Sequence, residues 1–578
     1  MSQILAIGRR LANTSRRRLR WLILPLLVVL PVLGLLFYQA HRPLPPSPVQ
    51  FVDVADAAGV HFRHVFGGSG HKFMPETVGS GGAFLDYNND GWLDIFLVNS
   101  APLPGFRSES PILSALFRNN KDGTFTNVTE GSGLEVEMYG MGCAVGDYDA
   151  DGFDDIFVSA VLGSSHLFHN EGGTGKFKDV TLEAGVDDRG GWGTSTAWLD
   201  YDNDGYLDLF VCNYVKYTIE DDAYFRNPLF GQSYGLPQFF DPFPAVLYHN
   251  RGDGTFEDVT KKAKIGVAQG KALGVCTCDV DRDGWVDLFV ANDMVPNHLF
   301  RNRGDGTFEN ISMPAGVAVD ASGHARAGMG IDYADFRNDG RLAFLIGTFS
   351  EEDDYFFVEL SPLAFEDRAK EAGFTSRPDV VLTFGLVFFD YDNDGWRDVF
   401  MANGHILDDI QKGRPNITFP QRNQLYHNNR DGTFSDVSRQ CGAPFDYMRV
   451  SRGCAYGDYD NDGDLDLLVT NNNGPAELLR NDGGNAHNWL QVRLIGKKKS
   501  NPNAFGAEVR VTAGGVMQRD WLRSGGSYLV QNMPRLHFGL GDAPRVEHLE
   551  VRWPAGKVER FSNLPVNQLI TVVEGPPP

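Results

Sequence analysis

A nine-residue motif, repeated along the chain, limits what this sequence can fold into more than any other feature. It reads Asp-x-Asp/Asn-x-Asp-Gly-x-x-Asp and occurs six times, starting at Asp86, Asp147, Asp200, Asp279, Asp390 and Asp458. A damaged copy starts at Asp335. Positions 1, 3, 5 and 9 place oxygen donors around a glycine that allows a sharp bend, a hard donor set suited to Ca²⁺ rather than to softer metals. The expected ligands are Asp86, Asn88, Asp90 and Asp94 in the first loop and Asp147, Asp149, Asp151 and Asp155 in the second. The third and fourth loops offer Asp200, Asp202, Asp204, Asp208 and Asp279, Asp281, Asp283, Asp287. The sixth and seventh offer Asp390, Asp392, Asp394, Asp398 and Asp458, Asp460, Asp462, Asp466. In the damaged fifth loop Arg337 and Ala343 replace the carboxylates at positions 3 and 9. About six Ca²⁺ per chain are therefore expected.

The flanks of the loops rule out EF-hands. An EF-hand needs Glu at position 12 and helices on both sides. Here position 12 is Leu97, Val158, Val211, Val290, Met401 or Val469, inside short apolar runs that read as buried strands. Between loops recurs a second signature, as in Leu247–Val259 and Leu299–Ile311, where an Asp-Gly turn joins two apolar runs into a hairpin. Each repeat then supplies about four strands, the content of a propeller blade. The chain enters the repeats with a closing half, Phe51 to Val60, and its last repeat, from Leu478, lacks that half. The two fragments complement each other and predict a closed ring of seven blades over residues 51–483.

Composition agrees with an all-β protein: 66 Gly and 41 Phe accompany turns and buried strands. A formal net charge of −23 excludes nucleic acid as a partner. The N-terminus sets a compartment expectation. Residues 1–20 form an Arg-rich tail expected to stay cytoplasmic, and the uncharged stretch 21–38 reads as a transmembrane signal-anchor. Residues 39–50 form a Pro-rich linker. A single-pass protein with its bulk outside the cytoplasm follows, with secretion after signal cleavage as the alternative. Cys143 and Cys454 occupy equivalent positions in different blades, too far apart to bond, Cys276 and Cys278 are i and i+2 on a strand, and the six Cys read as buried free thiols.

Residues 484–578 change character. Calcium loops stop, and short alternating strands such as Leu490–Leu494 and Leu549–Trp553 are separated by glycine turns, which predicts a small antiparallel β-sandwich. Asn488-Trp489-Leu490, Gly526-Ser527-Tyr528-Leu529, His537-Phe538-Gly539-Leu540-Gly541 and Val551-Arg552-Trp553-Pro554 resemble the ASPIC/UnbV domain. The repeats resemble the FG-GAP/VCBS modules of integrin α-chain propellers. Met74-Pro75-Glu76-Thr77, Ala291-Asn292-Asp293 and Asn403-Gly404-His405 resemble the cartilage acidic protein-like family, which joins both domains. The resemblance implies an extracellular calcium-binding propeller and no particular reaction. It also implies a Cys pair in the third-repeat insertion, and Gln232–Pro244 contains no cysteine.

Recurrence in every blade marks the loop carboxylates as scaffold rather than paired catalytic acids. His169, His249 and His427 fill the position held elsewhere by Arg118, Arg301 and Arg480, and read as turn residues rather than ligands. Arg251-Gly252-Asp253 and Arg303-Gly304-Asp305 fall in the repeated hairpin, which explains them. Three segments break the repeat: His71 to Glu76, the aromatic-rich insertion Asn213–Pro244, and the irregular loop Asn403–Pro420 with His405, Asp408 and Asp409. Irregular loops on a rigid scaffold carry binding function. The chain is expected to act as a membrane-anchored recognition module for an extracytoplasmic protein or glycan. An exported enzyme with its site on the propeller face is the alternative, and no catalytic motif is visible.

Overall fold

Strands in this chain pair along the repeat, and the repeat becomes a ring. The computed structural model describes residues 47–575, apart from 188–189, 223–224, 228–230, 267–269, 376–379 and 498. Blade 3 is typical: Gly193–Leu199, Asp208–Asn213, Val246–Asn250 and Phe256–Asp258 pair antiparallel in that order. Six other sheets repeat this order, and the innermost strand of each touches those of its two neighbours around a closed ring. The first and second strands of blade 3 are buried along their whole length, because neighbouring blades cover both faces. The short fourth strands bury one residue and expose two, as at Phe256–Asp258.

The ring closes with the N-terminal strand. Gln50–Asp53 pairs antiparallel with Glu477–Asp482, setting Phe51 opposite Asn481. It begins one residue inside the expected linker. Phe51 is 1% exposed and its N–H donates to the Cys441 carbonyl at 2.7 Å. Closure this way leaves no open sheet edge in the ring.

The blades are stapled to one another by the Asn of the repeated Leu-Phe-Arg/His-Asn signature. Asn250 Nδ2 in blade 3 donates to the Tyr148 carbonyl of blade 2 at 2.8 Å. Asn170, Asn302, Asn428, Asn481 and Asn119 make the same bond to Tyr87, Tyr201, Phe336, Tyr391 and Tyr459 of the preceding blade. Blade 5 has Glu359 at this position, and there Arg282 of blade 4 reaches across to it at 2.7 and 3.1 Å. An ion pair takes over where the amide is missing.

Residues 488–573 form two sheets around one core. Val516–Trp521, Glu508–Ala513, Val546–Arg552 and Val558–Leu564 make one, and Leu536–Gly541, Asn488–Ile495 and Gln568–Val573 the other. The sandwich is not wholly antiparallel, because Asn488–Ile495 and Gln568–Val573 run parallel. Propeller and sandwich belong to one compact unit, residues 48–578.

Between the strands Val516–Trp521 and Leu536–Gly541 the chain leaves the sandwich and fills the axis of the propeller. Ser527 exchanges two backbone bonds with Ile331 of blade 5, and Gly526 N–H donates to Val275 of blade 4. Val530–Gln531 adds to blade 1 as a parallel strand. The Leu529 N–H donates to Ser195 Oγ of blade 3, and the Leu529 carbonyl accepts from Cys143 N–H of blade 2. The Tyr528 ring lies 5.0 Å from that of Phe384 of blade 6, tilted against it, and Asn532 Oδ1 accepts from Tyr456 N–H of blade 7. The plug thus touches all seven inner strands, and those of blades 1, 2, 3, 4, 5 and 7 gain hydrogen-bond partners for groups that would otherwise line an open channel. Small residues make the room: a Cβ on Gly453 would lie 2.3 Å from Val530 Cγ1.

The all-β class holds, and two expectations are corrected. Among the described residues no helix is long and apolar enough to cross a membrane, which overturns the transmembrane segment and the single-pass location. Residues 21–38, on which both rested, lie outside the described residues. The six cysteines are all buried and free.

Truncation tests the closure. Removing residues 1–48 should leave a folded protein, whereas Phe51→Ala should cost about 3–5 kcal/mol in urea unfolding. Equal stability of Phe51→Ala and the parent would show that this strand does not close the ring.

Candidate functional site

The acidic loops are built alike. In the third, Asp204 and Gly205 N–H groups donate to the two oxygens of Asp200, both at 3.1 Å. Asp208, at position 9, accepts from Tyr201 N–H at 3.1 Å and from Asn250 N–H at 2.8 Å. These backbone bonds turn the position-1 and position-9 carboxylates inward. Position 4 takes a left-handed conformation, with φ of 54–63°. It links loop to loop: Asn89, Asn203, Asn338, Asn393 and Asn461 each donate to the glycine carbonyl of the next loop, and Arg282 does so to Gly340. Only at Ala150 can the side chain offer no such bond.

The donor set fits a hard cation. Carboxylate oxygens of Asp200, Asp202 and Asp208 lie within 4.8 Å of one another, as do those of Asp147, Asp149 and Asp151. At position 3 the Oδ1 atoms of Asp202, Asp392 and Asp460 are buried without a hydrogen-bond partner among the described residues. Burial, then the neighbouring carboxylates, pushes Asp200 up to about 8 and Asp458 to about 7. Asp94 and Asp147 are pushed to about 8, again with burial leading. Like charges held together out of water call for a cation or protons.

Two details depart from the sequence reading. His169 Nδ1 lies 3.3 Å from Asp149 and 3.2 Å from Asp155, and His249 lies 3.1 Å from Asp208. His427 sits 3.3 Å from Asp398. These histidines face the loops rather than the turn, and Arg301 does the same toward Asp281. In the damaged loop, Arg337 lies over the Phe336 ring at 5.0 Å, and it is Arg341 that pairs with Asp339. The RGD-like turns are tied into their own hairpins. Thr255 N–H donates to Asp253 at 3.0 Å, and Arg303 pairs with Glu309 at 3.0 Å.

The C-terminal sandwich covers the acidic loops. Arg535 donates to the Gly91 carbonyl at 2.7 Å and to Asn461 at 2.9 Å. Arg493 reaches Asn89, Gln491 reaches Asp458, and Asn503 reaches Asp154. His537 Nε2 lies 2.6 Å from Asn393 Oδ1. The acidic-loop rim is therefore an interface between propeller and sandwich.

The segments that break the repeat emerge from the opposite ends of the strands, and they converge. Lys72 Nζ pairs with Asp408 at 2.7 Å and Asp409 at 3.5 Å. It also lies 5.4 Å from the Tyr234 ring of the insertion. Asp222 accepts from Met74 N–H at 2.7 Å and from Tyr217 OH at 2.6 Å. Glu76 is buried beneath them and pushed up to about 7, by burial first and then by Asp222 and Asp408. Part of the aromatic insertion is packed down: Tyr214 and Tyr217 lie 5.4 and 4.9 Å from the Trp192 ring of the same blade, and Tyr217 lies 5.7 Å from Phe240 within the insertion. Tyr224 and Phe230 lie outside the described residues.

Two buried Ser–His pairs on this face have the wrong tautomer for nucleophilic catalysis. His64 Nδ1 accepts from Asn473 N–H, so Nε2 carries the proton and donates to Ser100 Oγ at 3.0 Å. His405 is held the same way by Leu407 N–H and donates to Ser350. Burial, then Arg452, pushes His64 down to about 3 and His405 to about 4. A histidine that donates to the serine cannot take its proton. Arg452, fully buried, links three blades through the carbonyls of Thr77, Gly404 and Ser451.

The FG-GAP-like repeat model matches residues 86–158, 147–211, 244–290, 279–346 and 390–469, more than half of the chain. The chain belongs to the FG-GAP-like repeat family. This FG-GAP-like protein also matches the ASPIC and UnbV model over residues 496–577. It is similar to Cartilage acidic protein 1 of Xenopus tropicalis, 25% identical over 84% of this chain and 71% of that protein. The human Cartilage acidic protein 1 is 27% identical over 63% of this chain, which spans about half of that relative's length (51%). Among solved structures, the BP39L lectin from Burkholderia pseudomallei matches with a TM-score of 0.41 and 8% identity, covering 69% of this chain and 94% of that one. The Gly526-Ser527-Tyr528-Leu529 signature lies in the axial plug, a role its sequence did not announce.

Two measurements follow for the FG-GAP-like loops. Native mass spectrometry should count about six Ca²⁺ per chain, and two or fewer would show the loops to be bare turns. In metal-stripped protein the raised carboxylates bind more protons folded than unfolded, so stability falls as pH rises from about 4 to about 8. The melting temperature should therefore climb on acidification from pH 8 to pH 6, and a flat profile would mean the carboxylates are not forced together.

Proposed function

We propose that this FG-GAP-like protein is a calcium-stiffened recognition module for a protein or glycan, and that the face carrying the irregular loops is its binding surface. One observation carries the reading. The sandwich covers the acidic rim and plugs the axis, and the three non-repeating segments meet on the face it leaves open. Rigid blades holding irregular loops are the usual way to present a binding site.

Calcium would be held by positions 1, 3, 5 and 9 of the six intact loops. Its charge would offset about half of the formal −23 and the mutual repulsion of each loop's carboxylates. It stiffens; it takes no part in a reaction. The loops also form the rim against which the sandwich rests, so metal and domain docking are linked by mass action.

Chelation should lower the melting temperature substantially. Each site held at ten times its Kd contributes on the order of 1.4 kcal/mol. Ca²⁺ should restore the loss and Mg²⁺ should not. An unchanged melting curve in excess chelator would remove calcium from the proposal. The binding surface is tested by an array of glycans and proteins, probed with and without Ca²⁺. Lys72→Glu should weaken any genuine partner at least tenfold by breaking the contact between Lys72 and Asp408. A partner indifferent to that change and to loop truncation would place recognition elsewhere.

A further inference from the structure

On the open face, at the mouth of the propeller axis, lies a cavity of about 280 Å³ to which blades 1, 3, 4, 5 and 6 contribute. Its walls are apolar, with Met74, Leu273, Met329 and Phe384 among them. The segment Gly235–Gln238 of the aromatic insertion borders it. One charged group sits in this apolar wall. Asp293 is 7% exposed, and its Oδ2 accepts from Tyr214 OH. Among the described residues no other hydrogen bond to this carboxylate occurs, and it lines the cavity. Glu352 stands at the rim, where it accepts from Ala327 N–H at 3.0 Å.

We propose that this cavity binds a small apolar amine, its hydrocarbon body among the Met, Leu and Phe side chains and its ammonium group on Asp293. The assignment rests on charge complementarity. The cavity presents two carboxylates, and the cations around it are engaged elsewhere: Lys271 with the Pro237 carbonyl, Arg452 with the carbonyls of Thr77, Gly404 and Ser451, and Arg326 with Asp320 and Asp367. Burial holds Asp293 up at about 6, a cost that an ammonium partner would relieve. A buried carboxylate with an open oxygen rewards a donor and penalises a second anion. An apolar pocket with one or two placed polar groups is the usual form of a small-molecule site. The inference deepens the reading of this face as the recognition surface and rests on it.

Calorimetric titration of the full chain in Ca²⁺ with hexylamine, hexan-1-ol and hexanoate tests it. Hexylamine should bind saturably, hexan-1-ol at least about tenfold more weakly, and hexanoate not measurably. Asp293→Asn keeps an acceptor for Tyr214 OH and should cut hexylamine affinity at least about tenfold while sparing hexan-1-ol. Ala327→Leu should weaken both by filling the cavity. Folding of each variant is checked by its melting temperature, and Glu352→Gln serves if Asp293→Asn does not fold. Absence of saturable hexylamine binding, equal affinity for amine and alcohol, or indifference to both Asp293→Asn and Ala327→Leu would overturn the proposal. The two readings fail separately. If hexylamine binds as expected while array partners ignore Lys72→Glu, the surface reading falls and the cavity stands. If partners respond to Lys72→Glu but hexylamine does not bind, the reverse holds.

Discussion

The structure depends on a carboxamide in the wrong place for solvent and the right place for a neighbour. In six blades the Asn near the end of the third strand is buried, and its side chain reaches the backbone of the preceding blade's loop. The same residue's N–H donates to the position-9 aspartate of its own loop, at 2.8 Å from Asn250 to Asp208. Blade packing and loop shape are therefore one network, since a buried polar group with a lost partner is expensive. Blade 5 shows how firm the requirement is. Having Glu359 in place of Asn, it receives a two-pronged contact from Arg282, which stands where other loops carry Asn or Ala.

A second dependence runs down the axis. Inner strands of a ring leave backbone groups facing a channel, and in this chain the sandwich supplies the partners. The plug is not a tether, because it hydrogen-bonds to six blades and packs on the seventh, and the sandwich cannot leave without stripping those contacts. The acidic rim lies under the same domain. Whatever occupies the loops therefore acts on the domain interface as well as on each turn. The face at the other end is left with the irregular loops, a cluster of charges around Lys72 and a cavity over the plug.

Much of the fold was legible because the repeat writes it several times over. The loop offsets gave the turns, the apolar runs gave the strands, and Phe51–Val60 with Leu478–Asn481 gave the closing pair that the register contains. What the repeat could not reveal was the role of residues that vary at one position. Interchange of His and Arg suggested turn residues, yet both types face the loop carboxylates, where either can carry a positive charge. Arg337 replaces a loop carboxylate in the sequence, but its side chain lies over Phe336, and it is Arg341 that pairs with Asp339. The N-terminal segment was read from its Arg-rich flank and uncharged stretch, and among the described residues no helix is long and apolar enough to cross a membrane.

By itself the sequence determined periodic matters: strand, loop, strand, the donor set at positions 1, 3, 5 and 9, and the order of two domains. Local spacing and side-chain chemistry decide these. The tertiary structure alone decided where the pieces meet. No local rule says that Gly526–Leu529 enters the propeller axis, that the sandwich rests on the acidic rim, or that Lys72, Asp222 and Asp408 share one face. Those contacts join residues hundreds of positions apart, and they exist only because closing the ring brings the ends of separate blades to a common axis.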